Sequence, residues 1–184
     1  MVSREAIDEV LRTINDPEMP INIVDLGIVA SVRIEPLQKR GQEPFPAQPI
    51  AQDSEAAKRL PTPFLNRVVI DILPTFVGCP ALQVIEEEIR RQVSRLEGVA
   101  EVEVCARFDP PWSVDRISNA GREALRQVGI TVPAGADRSQ VPACPFCGSR
   151  SVRLESTFGP TRCRMIYYCK DCRHPFEHLK RVGT

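Results

Sequence analysis

Histidine is nearly missing from this chain of 184 residues: only His174 and His178 occur, both near the C-terminal end. No carboxylate-histidine cluster fit for a di-iron oxygenase centre is recognisable, and no Ser-His-Asp set. No phosphate-binding glycine loop occurs either. Long apolar runs are absent, so nothing approaches the length that spans a bilayer. The first residues, Met1-Val2-Ser3-Arg4-Glu5, lead into an amphipathic pattern containing acids and resemble neither a signal peptide nor a transit sequence. Formal net charge is zero, yet 16 basic and 21 acidic residues precede Cys144 whereas 8 basic and 3 acidic ones follow from it. The two parts therefore carry opposite signs. With 42% hydrophobic residues, the chain has material for one ordinary domain and something small beside it.

Cysteine is what the chain does have: seven, five of them from Cys144 onward. In a chain with no secretion signal this crowding points to metal binding in a reducing cytoplasm more than to disulfides. Cys144-Pro145-Phe146-Cys147 and Cys169-Lys170-Asp171-Cys172 are two C-x-x-C turns whose four thiolates can close a tetrahedron around structural zinc. Between them, Val152 to Glu155 and Arg164 to Tyr168 have the composition of strands around the Phe158-Gly159-Pro160 turn, which makes a zinc ribbon. Some forty residues bury little apolar surface, so the metal should supply the folding free energy. The competing reading is a redox pair, but that motif normally occurs once, in a βαβ setting missing here. Cys163 is left over and, like His174 and His178, is read as unligated because four cysteines already close the site; the alternatives are that Cys163 replaces a knuckle cysteine or is a second reactive thiol.

Ahead of the ribbon the pattern is α/β (α+β), a small sheet covered by helices. Ser3 can cap a helix whose Ile7, Val10, Leu11 and Ile14 share one face. A strand follows over 28–34, and another over 67–73 with Val68, Ile70 and Ile72 on one side. Leu82, Ile85, Ile89, Val93 and Leu96 then form the apolar stripe of a helix from about Pro80 to Leu96. Residues 99–106 alternate, with Ala100, Val102, Val104 and Ala106 inward. Asp109-Pro110-Pro111-Trp112 is a stiff loop pressing the single tryptophan onto its neighbours, and a helix opened by Ser113 or Ser118 carries Ile117, Gly121, Ala124, Leu125 and Val128 on one side. The expected organisation is an α/β domain over 1–130 with a mobile insertion at 36–66, a linker at 131–143, and the ribbon at 144–184.

Cys79 sits where the second strand turns into its helix, with Pro80 suited to the first helical position. Facing unpaired N-H groups, a thiolate there is favoured, which predicts a depressed pKa and metal or nucleophile chemistry. The other reading is a buried cysteine acting as a small hydrophobe.

Asp16-Pro17-Glu18, Asp25-Leu26-Gly27, Thr75 to Pro80 and Asp109-Pro110-Pro111-Trp112, in this order, resemble the metal-sulfur cluster assembly family that includes SufT and the cytosolic iron-sulfur targeting factors. With Cys144 to Lys180 added, including Phe158-Gly159-Pro160-Thr161-Arg162-Cys163, the whole chain resembles the PaaD family, accessory subunits of the multicomponent phenylacetyl-CoA epoxidase. Residues 36–66 depart from that pattern. The resemblance implies phenylacetate catabolism, assembly or maturation of the oxygenase's iron or iron-sulfur centres, and Cys79 as the functional thiol. Asp25, Glu18 and Thr75 are its possible neighbours, and a transiently held iron or iron-sulfur cluster joins zinc among the cofactors. Partners would be oxygenase or reductase subunits and iron-sulfur assembly proteins, with a homo-oligomer left open and no membrane. On this reading the chain does not itself oxidise substrate.

Two other classes compete. Phe158, Tyr167, Tyr168 and Phe176 among Arg150, Arg153, Arg162 and Arg164 could mark a zinc-ribbon nucleic-acid-binding protein. Four zinc thiolates lower the ribbon's charge to about +3, which is weak for tracking phosphates. A thiol enzyme using Cys79 would need a base, and neither histidine lies in its domain.

Overall fold

In the computed structural model, which describes residues 2–37, 65–134 and 141–181, Ser3 caps the first helix as its spacing predicts. Its hydroxyl accepts from the Ala6 N-H at 3.1 Å, and α1 runs Arg4–Thr13 with Ile7 and Leu11 buried. Three strands follow, β1 (Val29–Pro36), β2 (Asn66–Ile72) and, after α2 (Ala81–Val93), β3 (Val99–Ala106). They form one sheet in the order β1-β2-β3, with β1 antiparallel and β3 parallel to the central β2. The parallel pair is joined by α2, as such a crossover requires.

Val68, Ile70 and Ile72 of β2 are fully buried and share one core with Ile7, Leu11, Ile85 and Ile89 of the helices. Each such side chain contributes about 1.5–3 kcal/mol of transfer free energy. The other face of the sheet is polar. There Asp71 accepts from Ser31 Oγ at 2.6 Å and from Arg33 and Arg107 at 2.5 and 2.9 Å. The Ser31 hydrogen bond, and then the two guanidiniums, hold its pKa down at about 2 although burial opposes them.

Ser113 caps a short 3-10 turn over Val114–Arg116 and Ser118 caps α3 (Asn119–Gln127), so both serines serve, each on its own element. Trp112 is 2% exposed and donates its indole N-H to the Leu26 carbonyl at 3.1 Å. Gly27 has φ +74, and a Cβ there would overlap the Arg116 carbonyl, so only glycine fits. Two details differ from expectation. Val128 is 52% exposed instead of lying on the apolar side of α3, because the helix has ended before it. Ala100 is exposed, the inward alternation of β3 beginning only at Val102.

The ribbon contains β5 (Val152–Ser156), β6 (Arg164–Cys169) and β7 (Pro175–Leu179), and β4 (Ile130–Thr131) joins it beside β7 to give the order β4-β7-β6-β5. Neither β4 nor β7 was expected from periodicity. Of the anticipated insertion, residues 38–64 lie outside the described residues, as do 135–140 of the anticipated linker. The insertion's flanks are nonetheless neighbours: Pro36 pairs with Asn66, and the Leu37 N-H donates to the Leu65 carbonyl at 2.9 Å.

The ribbon does not stand apart from the sheet and helices. Cys163 and Leu179 are buried in the same core as β2, whereas Cys144, Cys169 and Phe176 form a small second cluster. Arg164, 6% exposed, donates to Glu177 at 2.6 Å, to Thr161 Oγ1 at 2.8 Å and to the Glu18 carbonyl at 3.2 Å. That last bond ties β6 to the loop after α1.

Candidate functional site

Pro74 and Thr75 leave β2 buried, and the chain then bulges outward, so that Val77 is 77% exposed before Cys79 turns back inward. Gly78 adopts φ +80 at the crest of this bulge. The helix begins one residue later than predicted, at Ala81 with Pro80 as N-cap, and the Leu82 N-H donates to the Cys79 carbonyl at 3.1 Å. Cys79 thus stands just outside the helix, half-buried, and lines a crevice of about 10 Å³ with Asp16, Thr75, Pro74, Leu82 and three isoleucines. Such a volume admits one water-sized occupant.

The electrostatics of this thiol reverse the sequence expectation. Burial pushes its pKa up, the Ala81 N-H pulls it down, and the nearby charges of Glu18 and Asp16 and the Cys163 thiol push it up again. The helix terminus is present, but desolvation and two carboxylates outweigh it. Asp16 is itself 8% exposed. Burial raises its pKa against the lowering hydrogen bonds from the Glu18 and Met19 N-H groups, at 2.8 and 2.9 Å. Both the Cys79 thiol and the Asp16 carboxyl are thus shifted toward their protonated forms.

Of the anticipated neighbours, Thr75 lines the crevice and Glu18 lies close enough to act on the thiol. Asp25 is committed elsewhere: it accepts from Asn22 Nδ2 at 2.6 Å and Ser118 Oγ at 2.7 Å and lies 3.5 Å from Arg12. Those bonds, Ser118's first, lower its pKa and fasten the loop after α1 to the start of α3. Asp16 is the residue that sequence reasoning passed over, quoted only within the Asp16-Pro17-Glu18 motif and not among the neighbours of Cys79. Its place immediately before Pro17-Glu18 was the available signal.

The four knuckle cysteines come together. Cys144 Sγ lies 3.6 Å from Cys172 Sγ, Cys147 Sγ lies 3.6 Å from Cys169 Sγ, and all four sulfurs fall within 4.8 Å of one another, an arrangement that could hold a metal ion. Each knuckle is closed alike: the Gly148 N-H donates to the Cys144 carbonyl and the Arg173 N-H to the Cys169 carbonyl, at 2.9 and 3.0 Å. Both closing residues have positive φ, 75° and 62°. Cys163 is not in this group; it is buried, with its sulfur 3.0 Å from Thr161 Oγ1.

Several basic residues of the ribbon are engaged within the chain. Arg153 pairs with Glu155 at 3.0 Å and stacks over Tyr168, Arg164 pairs with Glu177, and Arg181 pairs with Asp115 at 3.3 Å. No helix among the described residues is long and apolar enough to cross a membrane.

Comparison with known proteins adds the following. Residues 131–180 match the family described as PaaD zinc beta ribbon domain, and residues 4–40 match iron-sulfur cluster assembly protein. A protein of Escherichia coli (strain K12), provisionally named as a subunit of 1,2-phenylacetyl-CoA epoxidase, is 32% identical over 177 residues, spanning 94% of this chain and 89% of its own length. The Fe-S protein maturation auxiliary factor of Porphyromonas gingivalis (strain ATCC BAA-308 / W83) is 28% identical over 128 residues, 70% of this chain and 92% of its own. A crystal structure of the domain of unknown function DUF59 from Bacillus anthracis superposes with a TM-score of 0.46 at 26% identity, over 66% of this chain and 89% of that one.

Proposed function

From the premise that the chain belongs to the PaaD family of phenylacetyl-CoA epoxidase subunits, we propose that it is an accessory subunit that matures the epoxidase's iron or iron-sulfur centres through Cys79. The observation that carries the reading is Cys79 itself. It is a half-buried thiol beside an exposed apolar crest, lining a crevice with Asp16 and Thr75 at the start of α2. Iron or a cluster is here the cargo. A thiol kept protonated by burial and by two carboxylates stays unreactive alone, and an arriving cation reverses that balance by favouring the thiolate. The same groups then help to hold what has arrived. Release needs only that a client's ligands compete, because one thiol and a carboxylate make a weak set.

The ribbon metal is a separate matter. With Zn-S bonds of about 2.3 Å, a tetrahedral site has sulfur-sulfur edges of about 3.8 Å, and the 3.6 Å spacings here lie close to that. We take this metal to be zinc, held for structure by Cys144, Cys147, Cys169 and Cys172. The partners we propose are the oxygenase or reductase subunits and the iron-sulfur assembly proteins that deliver cargo. The experiment compares the oxygenase purified from cells carrying wild-type protein or Cys79→Ser. The variant should leave the oxygenase present but underfilled in iron and correspondingly less active, while the chain keeps its zinc. Equal iron and equal activity would remove Cys79 from the chemistry.

A further inference from the structure

A cavity of about 360 Å³ lies between α3 and the ribbon. Arg122 and Arg126 of α3 and Arg150 of the ribbon line it, Ile130 and Val132 are among its apolar walls, and among the described residues no aspartate or glutamate does so. Arg122 donates to the carbonyls of Ile117, Pro133 and Val114 at 3.3, 3.1 and 2.6 Å, which fixes its guanidinium without cancelling its charge. Arg126 is paired with exposed Glu123 at 2.8 Å. Arg150 makes no side-chain hydrogen bond or ion pair among the described residues. His178, whose Nδ1 lies 2.7 Å from Thr131 Oγ1, is neutral near neutral pH because burial pulls its pKa down to about 4. The positive potential is therefore that of the arginines.

Guanidiniums beside an apolar wall, one of them fixed, attract an anion that brings its own apolar body, and planar donor pairs suit carboxylate and phosphate oxygens alike. We propose that this cavity binds a small organic anion, a carboxylate or phosphate attached to a short apolar group. The size agrees with such a ligand, lying near the lower end of the range for small-molecule sites, about 300–1,000 Å³. Because α3 supplies one wall and the ribbon another, the ligand would bridge the two.

The full-length, metal-loaded chain is titrated by calorimetry with benzoate, phenyl phosphate and, as the neutral counterpart, benzyl alcohol. At least one of the two anions should saturate a single site and the alcohol should not; whichever anion binds more tightly identifies the head group. Arg150→Gln, chosen because Arg122 and Arg126 also hold local structure, should weaken that anion about tenfold with metal content unchanged. Raised salt should weaken it too. Three results would each overturn the proposal: no saturation by either anion, benzyl alcohol binding as tightly as benzoate, or unaltered anion affinity in Arg150→Gln.

Discussion

Replacing Arg164 by methionine should release the ribbon from the loop that follows α1. The arginine side chain is 7% exposed and its partner Glu177 27%, and the substitution removes one ion pair and two charge-assisted hydrogen bonds, to Thr161 and the Glu18 carbonyl. Losing one member of a fully buried pair costs about 3–5 kcal/mol. Glu177 is open enough to rehydrate, and methionine keeps the apolar stem, so a loss of about 2–3 kcal/mol is expected. For a chain of this length that corresponds to a fall in Tm of about 4–12 °C. Urea unfolding of the metal-loaded protein, followed by fluorescence of buried Trp112, measures it. Adding Glu177→Leu should recover much of the loss, because the stranded carboxylate is then gone. A change below about 0.5 kcal/mol in the single variant would refute the view that Arg164 clamps the two parts together.

Further outcomes follow from the same contacts. Cys79 should alkylate with a midpoint above that of an ordinary thiol, and Asp16→Asn should lower that midpoint by removing a neighbouring negative charge; a wild-type midpoint below the ordinary value would contradict the balance of burial over helix terminus. Asp16, with its folded pKa raised, favours the native state most below its unfolded pKa and loses that contribution as pH rises through the folded value, so Asp16→Asn should flatten the decline in stability on leaving acid pH. Stripping the metal with a strong chelator should melt the knuckles and also lower the Tm of what remains, since Cys163 and Leu179 belong to the main core. Metal analysis should give about one zinc per chain, and each of Cys144→Ser, Cys147→Ser, Cys169→Ser and Cys172→Ser should weaken its retention. Replacing residues 38–64 by a two-residue turn should change stability by no more than about 1 kcal/mol, because loop length enters only logarithmically, and a larger loss in thermal melts would show that the segment is packed.

The helices and the three-strand sheet were legible because each buries one face over several turns or alternations: Ile7 and Leu11, Val68 to Ile72, and Ile85 to Val93 announce themselves by spacing. The ribbon cysteines were legible from the paired C-x-x-C turns. What escaped depends on partners distant in sequence. Pro175 to Leu179 opens on a proline and alternates for only five residues, and β4 is two residues long, so β7 is a strand because β6 pairs with it and β4 only because β7 lies beside it. The Cys79 pKa failed for a related reason. A helix terminus can be read locally, whereas the burial that outweighs it, and the charges of Glu18, Asp16 and Cys163 that add to burial, depend on groups the fold gathers from both ends of the chain.

The two-residue β4 has one more consequence, for how this ribbon can be inherited. Ile130 and Thr131 pair with Glu177 and His178 and so cover the outer rim of β7, while Gly129 ahead of them, with φ +81, lets the Phe146 ring approach to 2.9 Å from where a Cβ would be. A fragment cut at the first knuckle would leave that rim bare, with unpaired amide and carbonyl groups inviting another strand. One that begins before Gly129 carries its own cover. The smallest piece that evolution could move to another protein without creating a sticky border thus starts at the end of α3, some fifteen residues ahead of the first cysteine.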